Sequence, residues 1–232
     1  MLCVYGVVRA DAPPVETRGV HRGIVTIVPA GPVAALVSPL DGELLARRRD
    51  VEAHLDVVET AFRAGAVLPF RFGTVVDDED AMRRVLAENE ADYVGLLEQL
   101  DGLVQMTLKA VRSDDDAIRT VVAADDRLRR VVRRLQGSTT VADQLQLGEQ
   151  VATAVALLSE RDAREITARV TGMARAAVLD EVASPTVVSI ALLLHPDEAS
   201  AMDRTVARLM DDYGSRLSFD YAGPMPPYSF VG

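Results

Sequence analysis

The sequence has no tryptophan, few other aromatic residues and a single cysteine, Cys3. Aromatic residues make up 4% of the 232 residues, whereas hydrophobic residues make up 49%. A core must therefore be built mainly from Val, Leu and Ala, which suits helices packed on a sheet. One cysteine excludes a disulfide framework and a cysteine-based zinc site within one chain.

Lysine and long apolar runs are also scarce. The formal net charge is -10, and Lys109 is the only lysine. Nucleic-acid binding depends on neutralising phosphates with Lys and Arg, so we expect no nucleic-acid partner. No apolar run approaches the ~20 residues that a membrane-spanning helix needs, and the first residues do not resemble a secretory signal. We expect a cytosolic protein with no membrane partner.

The first half predicts an α+β domain with a small antiparallel sheet. β-branched runs close together in sequence indicate a meander of strands, and the spacing of Val51, Leu55, Val58 and Phe62 indicates a helix that buries this face. Asp77 is the expected N-cap of the next helix. In chain order we expect strands over 2–9, 19–28 and 33–38, a helix over 49–64, an extended segment over 67–76, and helices over 79–88 and 90–99.

The second half predicts a modified ferredoxin-like domain with a long helix. Apolar periodicity continues from Val141 to about Val182, which is too long for an ordinary helix without a bend or a projection from the body. We expect a strand over 102–112, helices over 115–136, a break over 137–140, the long helix, a strand over 186–194, a helix over 197–213 and a strand over 215–221. The predicted domains are therefore 1–100 and 101–232, the second with a Pro-rich tail.

No catalytic, cofactor or metal motif is present. The phosphate-binding glycine loops, the nucleophile elbow and the zinc helix are all absent, so we expect no enzyme, no cofactor and no metal. The chemistry that remains conceivable is an acid/base pair of His54 and Glu59 with Arg71 binding an anion. His54 and Glu59 point about 140° apart on a helix, so His54 is better explained as bonding to neighbouring backbone.

Two segments are unusual in composition. The first combines aromatic residues with a proline and a glycine: Leu68, Pro69, Phe70, Arg71, Phe72, Gly73 and Thr74. The second is a stiff, proline-rich C-terminal tail that includes Tyr221, Gly223, Pro224, Pro226, Pro227, Tyr228 and Phe230. Such a tail has few backbone donors and cannot form an ordinary strand or helix. Its aromatic residues favour a segment pinned against the body, and a pinned, stiff segment can present a binding surface at low entropic cost.

These two segments, in this order, resemble the family of gas-vesicle accessory proteins designated F and L. The family pattern has LPxRFGT near residue 70 and ends in YxGPWPPYSF. Two positions depart from it, because Met225 stands where the family usually has Trp and Gln105 stands where it commonly has Glu. If that carboxylate formed an ion pair with a partner protein, this chain has lost it.

The resemblance implies a chaperone-like or minor structural protein of gas vesicles. Such proteins are thought to bind the small hydrophobic shell protein and other accessory proteins, and the family has no known catalytic residues. The expected location is the gas vesicle and the cytoplasm. The two unusual segments are the candidate interaction motif. The apolar stripe of the long helix has two explanations: it packs on this chain's own sheet, which is the simpler one, or it offers a surface on which a helix or strand of a partner docks.

Two functions from other classes stay open. One is a small-molecule-binding regulator built on the ferredoxin-like domain, and the other is an enzyme that uses His54 and Arg71. Co-purification with the shell protein would favour the assembly protein, whereas a deep polar pocket with a ligand would favour one of the others.

Overall fold

The computed structural model describes residues 1–135 and 140–231. The chain forms two compact units, unit 1 with Met1–Gln105 and Pro224–Gly232, and unit 2 with Met106–Gly223. The predicted domains, 1–100 and 101–232, differ from this division chiefly in the tail, which belongs to unit 1 from Pro224 onward. Residues 137–139 of the predicted break lie outside the described residues.

Unit 1 contains a five-stranded sheet in which β2, β3, β1 and β4 follow one another and β5 also pairs with β1. All of these pairings are antiparallel. Its elements are β1 (Leu2–Arg9), β2 (Thr26–Ala30), β3 (Val33–Pro39), α1 (Arg48–Ala64), β4 (Val67–Pro69), β5 (Val75–Val76), α2 (Glu79–Glu88) and α3 (Glu90–Leu100).

The sheet of unit 1 is covered on both faces. Ala34 and Leu36 of β3 join Val57 and Val58 of α1 in one apolar cluster, which we call the core cluster. Side chains alternate along a strand, so the buried Ala35 points to the opposite face. That face is covered by α2 and α3, which contact β3 and β1. Burial on both faces explains why β1 is apolar almost throughout.

The predicted strand over 19–28 is wrong in its first part, because residues 20–22 form a short 3₁₀ turn and β2 begins only at Thr26. The cause is Tyr5, whose hydroxyl oxygen accepts the Val20 N–H at 2.8 Å. A Cβ on Gly19 would lie 2.0 Å from the same oxygen. Residues 19–22 therefore pack closely on the Tyr5 hydroxyl in a turn, and the extended strand β2 begins only after them.

Two local predictions for unit 1 are also corrected. The cap of α2 is Asp78 and not Asp77, since its carboxylate accepts the Ala81 N–H at 2.8 Å. The buried face of α1 carries Asp50 and His54, whereas Leu55 of the predicted face is 39% exposed. A hydrophobic pattern cannot show a face that is partly polar, so the predicted face is rotated from the true one.

Unit 2 contains a four-stranded sheet in the order β7-β8-β6-β9. α6 contacts β8 of this sheet and α7 contacts α6. The buried residues include Ile166 and Val170 of α6 and Met202, Val206 and Leu209 of α7. In chain order the elements are β6 (Val104–Val111), α4 (Asp114–Ala124), α5 (Asp126–Leu135), α6 (Val141–Thr171), β7 (Ala176–Leu179), β8 (Thr186–Leu194), α7 (Ala199–Tyr213) and β9 (Ser218–Met225).

The long helix ends earlier than predicted. α6 stops at Thr171, and residues 176–179 form β7, which pairs antiparallel with β8. A run of four apolar residues fits the period of a helix as well as that of a strand, and only the neighbouring β8 decides between them. With β7 the unit has a βαββαβ order of elements; its ferredoxin-like designation stays a prediction.

The last strand runs further into the tail than predicted. β9 extends to Met225 and includes Pro224, although the prolines predict that the tail cannot form a strand. β9 lies at the edge of its sheet, and an edge strand tolerates a residue without an N–H group.

Candidate functional site

The first half of the Leu68–Thr74 segment is part of the sheet of unit 1. Leu68 and Pro69 are buried in β4 and pair with Val7 and Gly6 of β1. A Cβ on Gly6 would lie 2.5 Å from the Leu68 carbonyl oxygen, so only glycine permits this close pairing. Pro69 is accommodated because β4 is an edge strand.

The second half of the segment is a turn that leads back to β1. Thr74 donates its hydroxyl to the Arg71 carbonyl at 2.8 Å, and the Thr74 carbonyl accepts the Val4 N–H at 3.0 Å. Gly73 has a φ of +100°, which other residues rarely adopt. Phe72 packs against the core cluster, whereas Arg71 is exposed. The turn therefore presents Arg71 and Gly73 to solvent.

His54 of α1 forms a hydrogen bond to the backbone of the Leu68–Thr74 segment. Its side chain is 1% exposed, and its Nε2 lies 3.0 Å from the Phe70 carbonyl oxygen. A carbonyl can only accept, so Nε2 carries the proton and Nδ1 does not. Burial lowers the pKa of His54, which keeps the ring neutral. The expectation that His54 bonds to neighbouring backbone is confirmed.

The Pro-rich tail is pinned against unit 1, as its aromatic residues predict. Pro226 and Pro227 are buried, and Tyr228 packs against the core cluster. Burial raises the pKa of Tyr228 to about 12, with a smaller contribution from Glu59. The start of the C-terminal motif belongs to unit 2, where the Tyr221 hydroxyl donates to Asp203 at 2.8 Å.

Gln105 fastens the tail from inside unit 1. It is 2% exposed, and its Oε1 accepts the Ser229 N–H at 2.9 Å. Its Nε2 lies 3.9 Å from the sulfur of Met225. The two positions that depart from the family pattern therefore contact each other. Position 105 serves an internal contact with the tail, so its side chain is not available for an ion pair with a partner.

Unit 2 has a different kind of feature, an apolar groove along α6. The groove has a volume of about 1000 Å³. One wall is α6, and the other is built from α4, α5 and the residues that lead into β8. We call it the α6 groove; its apolar and small lining residues are Ala117, Ile118, Val122, Val132, Leu147, Gly148, Val151, Ala152, Val155, Ala156, Ala163, Val182, Pro185 and Val187.

No helix within residues 1–135 and 140–231 is long and apolar enough to cross a membrane. The described residues hold no cluster of three or more His, Cys, Asp and Glu side chains arranged to bind a metal ion. The structure does not bring the conceivable acid/base pair together, because His54 is buried whereas Glu59 is exposed and pairs with Arg63 at 2.9 Å. Arg71 is exposed as well.

The family model for the gas vesicle synthesis proteins GvpL and GvpF matches residues 1–232. This chain belongs to the GvpL/GvpF family. Gas vesicle protein F of Streptomyces sp. (strain CB03234) is 33% identical over 234 residues, which cover 98% of each chain. The GvpL/GvpF resemblance found in the two sequence segments is therefore confirmed, and the protein is an accessory protein associated with gas vesicles.

Solved structures confirm the fold class of this GvpL/GvpF protein. The crystal structure of GvpF from Microcystis aeruginosa superposes with a TM-score of 0.83 at 18% identity, over 100% of this chain and 98% of that one. GvpF from Anabaena sp. PCC7120 gives 0.86 at 20% identity, with the same coverage. The α+β fold with two small sheets and a long helix is thus shared.

Sequence reasoning missed two features of this GvpL/GvpF chain. The contact between Gln105 and the tail joins residues more than a hundred positions apart, and no local pattern shows it. The second feature is the buried ion pair of Arg112 with Asp162. A signal for that pair existed, because Asp162 interrupts the apolar spacing of α6 shortly before Ile166.

Proposed function

We propose that this protein binds the hydrophobic shell protein and other gas vesicle proteins during vesicle formation, as a chaperone-like partner that catalyses no reaction. The α6 groove carries this proposal. An apolar groove of this size is unusual on a protein that has no partner for it. Several apolar side chains near it are exposed as well, among them Val141 at 79% and Leu145 at 64%.

The proposal fits the charge of the chain. A shell protein with exposed apolar helices and strands would aggregate before assembly, whereas a partner with a net charge of -10 repels copies of itself. Covering the apolar surface with such a partner keeps the complex dispersed. The cytoplasmic location expected from the sequence is part of this proposal.

Binding of purified full-length protein to the shell protein tests the proposal. We expect affinity capture of the shell protein, and fewer vesicles in electron micrographs of cells without this protein. Binding to none of the vesicle proteins would refute it. A His54→Gln variant, which keeps a donor for the Phe70 carbonyl, should form vesicles normally; loss of vesicles with a folded variant would favour an enzyme.

A cavity in unit 1 makes small-molecule binding a second candidate, although the alternative drawn from the sequence placed the ligand in the predicted ferredoxin-like domain of the second half. Its volume is about 550 Å³, and its lining includes Arg18, Arg22, Arg47 and Arg49 against Glu43 and Asp50. Asp50 is 3% exposed and one of its carboxylate oxygens has no partner within the described residues. An anionic metabolite with a hydroxyl group would suit these groups. A rise in melting temperature with nucleoside diphosphates, absent with chloride, would support it.

A further inference from the structure

The wall that α6 gives to the groove has the spacing of a helix-packing face. Its lining residues recur every third and fourth position from Gln144 to Ala163. This stretch is about 28 Å long, from the rise per residue of an α-helix. Interleaved rows of this spacing are the ridges and grooves through which two helices pack. The geometry therefore suits a second helix lying along α6, more than a strand or a compact ligand.

Small residues line the middle of that face. Gly148, Ala152 and Ala156 follow one another at intervals of one turn, and all of them line the groove. Gly148 costs about 1 kcal/mol of helix stability relative to alanine. No described atom lies within 4 Å of the place where its Cβ would be, so nothing in the described chain requires glycine there. Close approach of another helix backbone would require it.

A buried arginine at one end of the groove supplies an independent observation. Arg112 lines the groove and is 3% exposed. One of its nitrogens pairs with Asp162, which also lies within 3.4 Å of the Arg161 guanidinium. Among the described residues, Nε and Nη1 of Arg112 have no hydrogen-bond partner. A buried donor without a partner costs about 1–3 kcal/mol, so the groove is incomplete at this point.

The chemistry around Arg112 selects the missing acceptor. Its charge is already balanced by Asp162, and Asp114 and Glu160 also line the groove. These negative groups repel a carboxylate with its full charge more strongly than a carbonyl oxygen with its partial charge. The last four carbonyls of an α-helix have no partner within that helix, and arginine side chains commonly bind them. A helix C-terminus therefore fits Arg112.

We propose that the α6 groove holds one apolar helix of a gas vesicle protein, parallel to α6, with its C-terminal carbonyls on Arg112. The orientation follows because Asp162 places Arg112 beside Ala163, at the C-terminal end of the lined stretch. The proposal rests on the proposed function for the source of the helix. It adds the class of ligand, the binding face and the direction.

Photocrosslinking with the purified shell protein tests the proposal. A benzoylphenylalanine at position 144 or 160 of the full-length chain, where an exposed side chain already lines the groove, should crosslink to shell residues three and four apart on one helix. The probe at position 160 should reach residues nearer the C-terminus of that helix than the probe at position 144. Crosslinks to a strand, or the opposite order, would overturn the binding mode while leaving the function in place.

Matched substitutions distinguish binding in the α6 groove from non-specific hydrophobic binding to the exposed surface of α6. Gly148→Phe fills open space and improves helix propensity, so it should fold and weaken shell binding at least about tenfold. Leu157→Ser changes a residue that is 61% exposed but does not line the groove, and should change binding less than about twofold. Equal effects would contradict the proposal.

Three further outcomes are informative. If the chain forms a dimer in sedimentation and Gly148→Phe dissociates it, the occupant is a second copy and the proposal is wrong. If the unsubstituted chain captures no vesicle protein, the proposed function and this binding mode fall together. If Gly148→Phe binds the shell protein as tightly as the unsubstituted chain, the function stands and only the groove is excluded.

Discussion

The helices α1 and α6 use their side chains in opposite ways. α1 buries polar groups, with Asp50 at 3% and His54 at 1% exposure. α6 is nearly twice as long, yet among its buried residues only Ile166 and Val170 are apolar, and Leu145 and Leu157 are 64% and 61% exposed. α1, which buries polar groups, is therefore better packed than α6, which leaves large apolar side chains exposed.

This contrast separates fold from binding. In unit 1 the Leu68–Thr74 segment and the end of the tail are used internally, because Leu68, Pro69, Pro226 and Pro227 are all buried. The residues of the candidate interaction motif that a partner could contact are chiefly the exposed ones, such as Arg71 and Gly73. In unit 2 apolar surface stays open along the α6 groove. We therefore expect substitutions in unit 1 to change stability and those along α6 to change binding.

The largest effect should come from deleting residues 224–232. The deletion removes the burial of Tyr228 and leaves the Gln105 side chain without its partner, so the free energy of unfolding should fall by about 4 kcal/mol. Urea denaturation measures this change. Removing only residues 231–232 is the control and should cost little. Full stability of the longer deletion would mean that the tail does not belong to the core of unit 1.

Substitutions at the contact between positions 105 and 225 should cause the next largest loss in the free energy of unfolding. Gln105→Glu buries a carboxylate that still accepts the Ser229 N–H but lacks the amide N–H group that faces the Met225 sulfur, which should cost about 2 kcal/mol. Met225→Trp, the residue of the family pattern, adds an indole N–H beside it. The double variant should recover at least about 1 kcal/mol of that loss. Strict additivity in a double-mutant cycle would show that the two positions are independent.

The same contact shows where sequence reasoning ends. Residues 68–74 and 221–230 identified the family, since their composition is unusual over a short stretch. Gln105 and Met225 were recognised as departures one by one. Their contact across 120 positions is a property of the folded chain, and only the tertiary structure joins them.

The same limit applies to the fold: elements set by local sequence were predictable, whereas those set by tertiary contacts were not. α4 begins at Asp114, one residue before the predicted start at 115, and the Ser113 hydroxyl at this end accepts the Asp116 N–H. β7 was missed because its pairing with β8 outweighs the local period. The α6 groove was foreseen only as an apolar stripe, because the stripe does not show which other elements complete the groove.

His54 should make stability depend on pH. Burial lowers its pKa from 6.5, so below pH 6.5 the unfolded chain binds a proton that the folded chain does not. The free energy of unfolding should therefore fall as the pH drops from 6.5, by up to about 1.4 kcal/mol per pH unit until the folded pKa is reached. Denaturation at pH 7.5 and 5.5 measures the fall.

The control for that prediction is His54→Gln. Its amide can donate to the Phe70 carbonyl but does not titrate, and His21 and His195 are present in both proteins. The difference between the two pH profiles therefore isolates His54. Parallel profiles would mean that the ring takes up a proton as easily in the folded chain as in the unfolded one.

The smallest effect should come from the exposed apolar residues of α6, compared with a matched site on α1. Val58 is fully buried, so Val58→Ala should cost about 2 kcal/mol through lost burial and the cavity left behind. Leu145→Ala removes a larger side chain, but one that is 64% exposed, and should cost less than about 0.5 kcal/mol. Thermal unfolding of the two variants gives the comparison directly. A large cost at Leu145 in the isolated chain would mean that this face of α6 is covered in solution by the chain itself or by a second copy, and the distinction between the two helices would be lost.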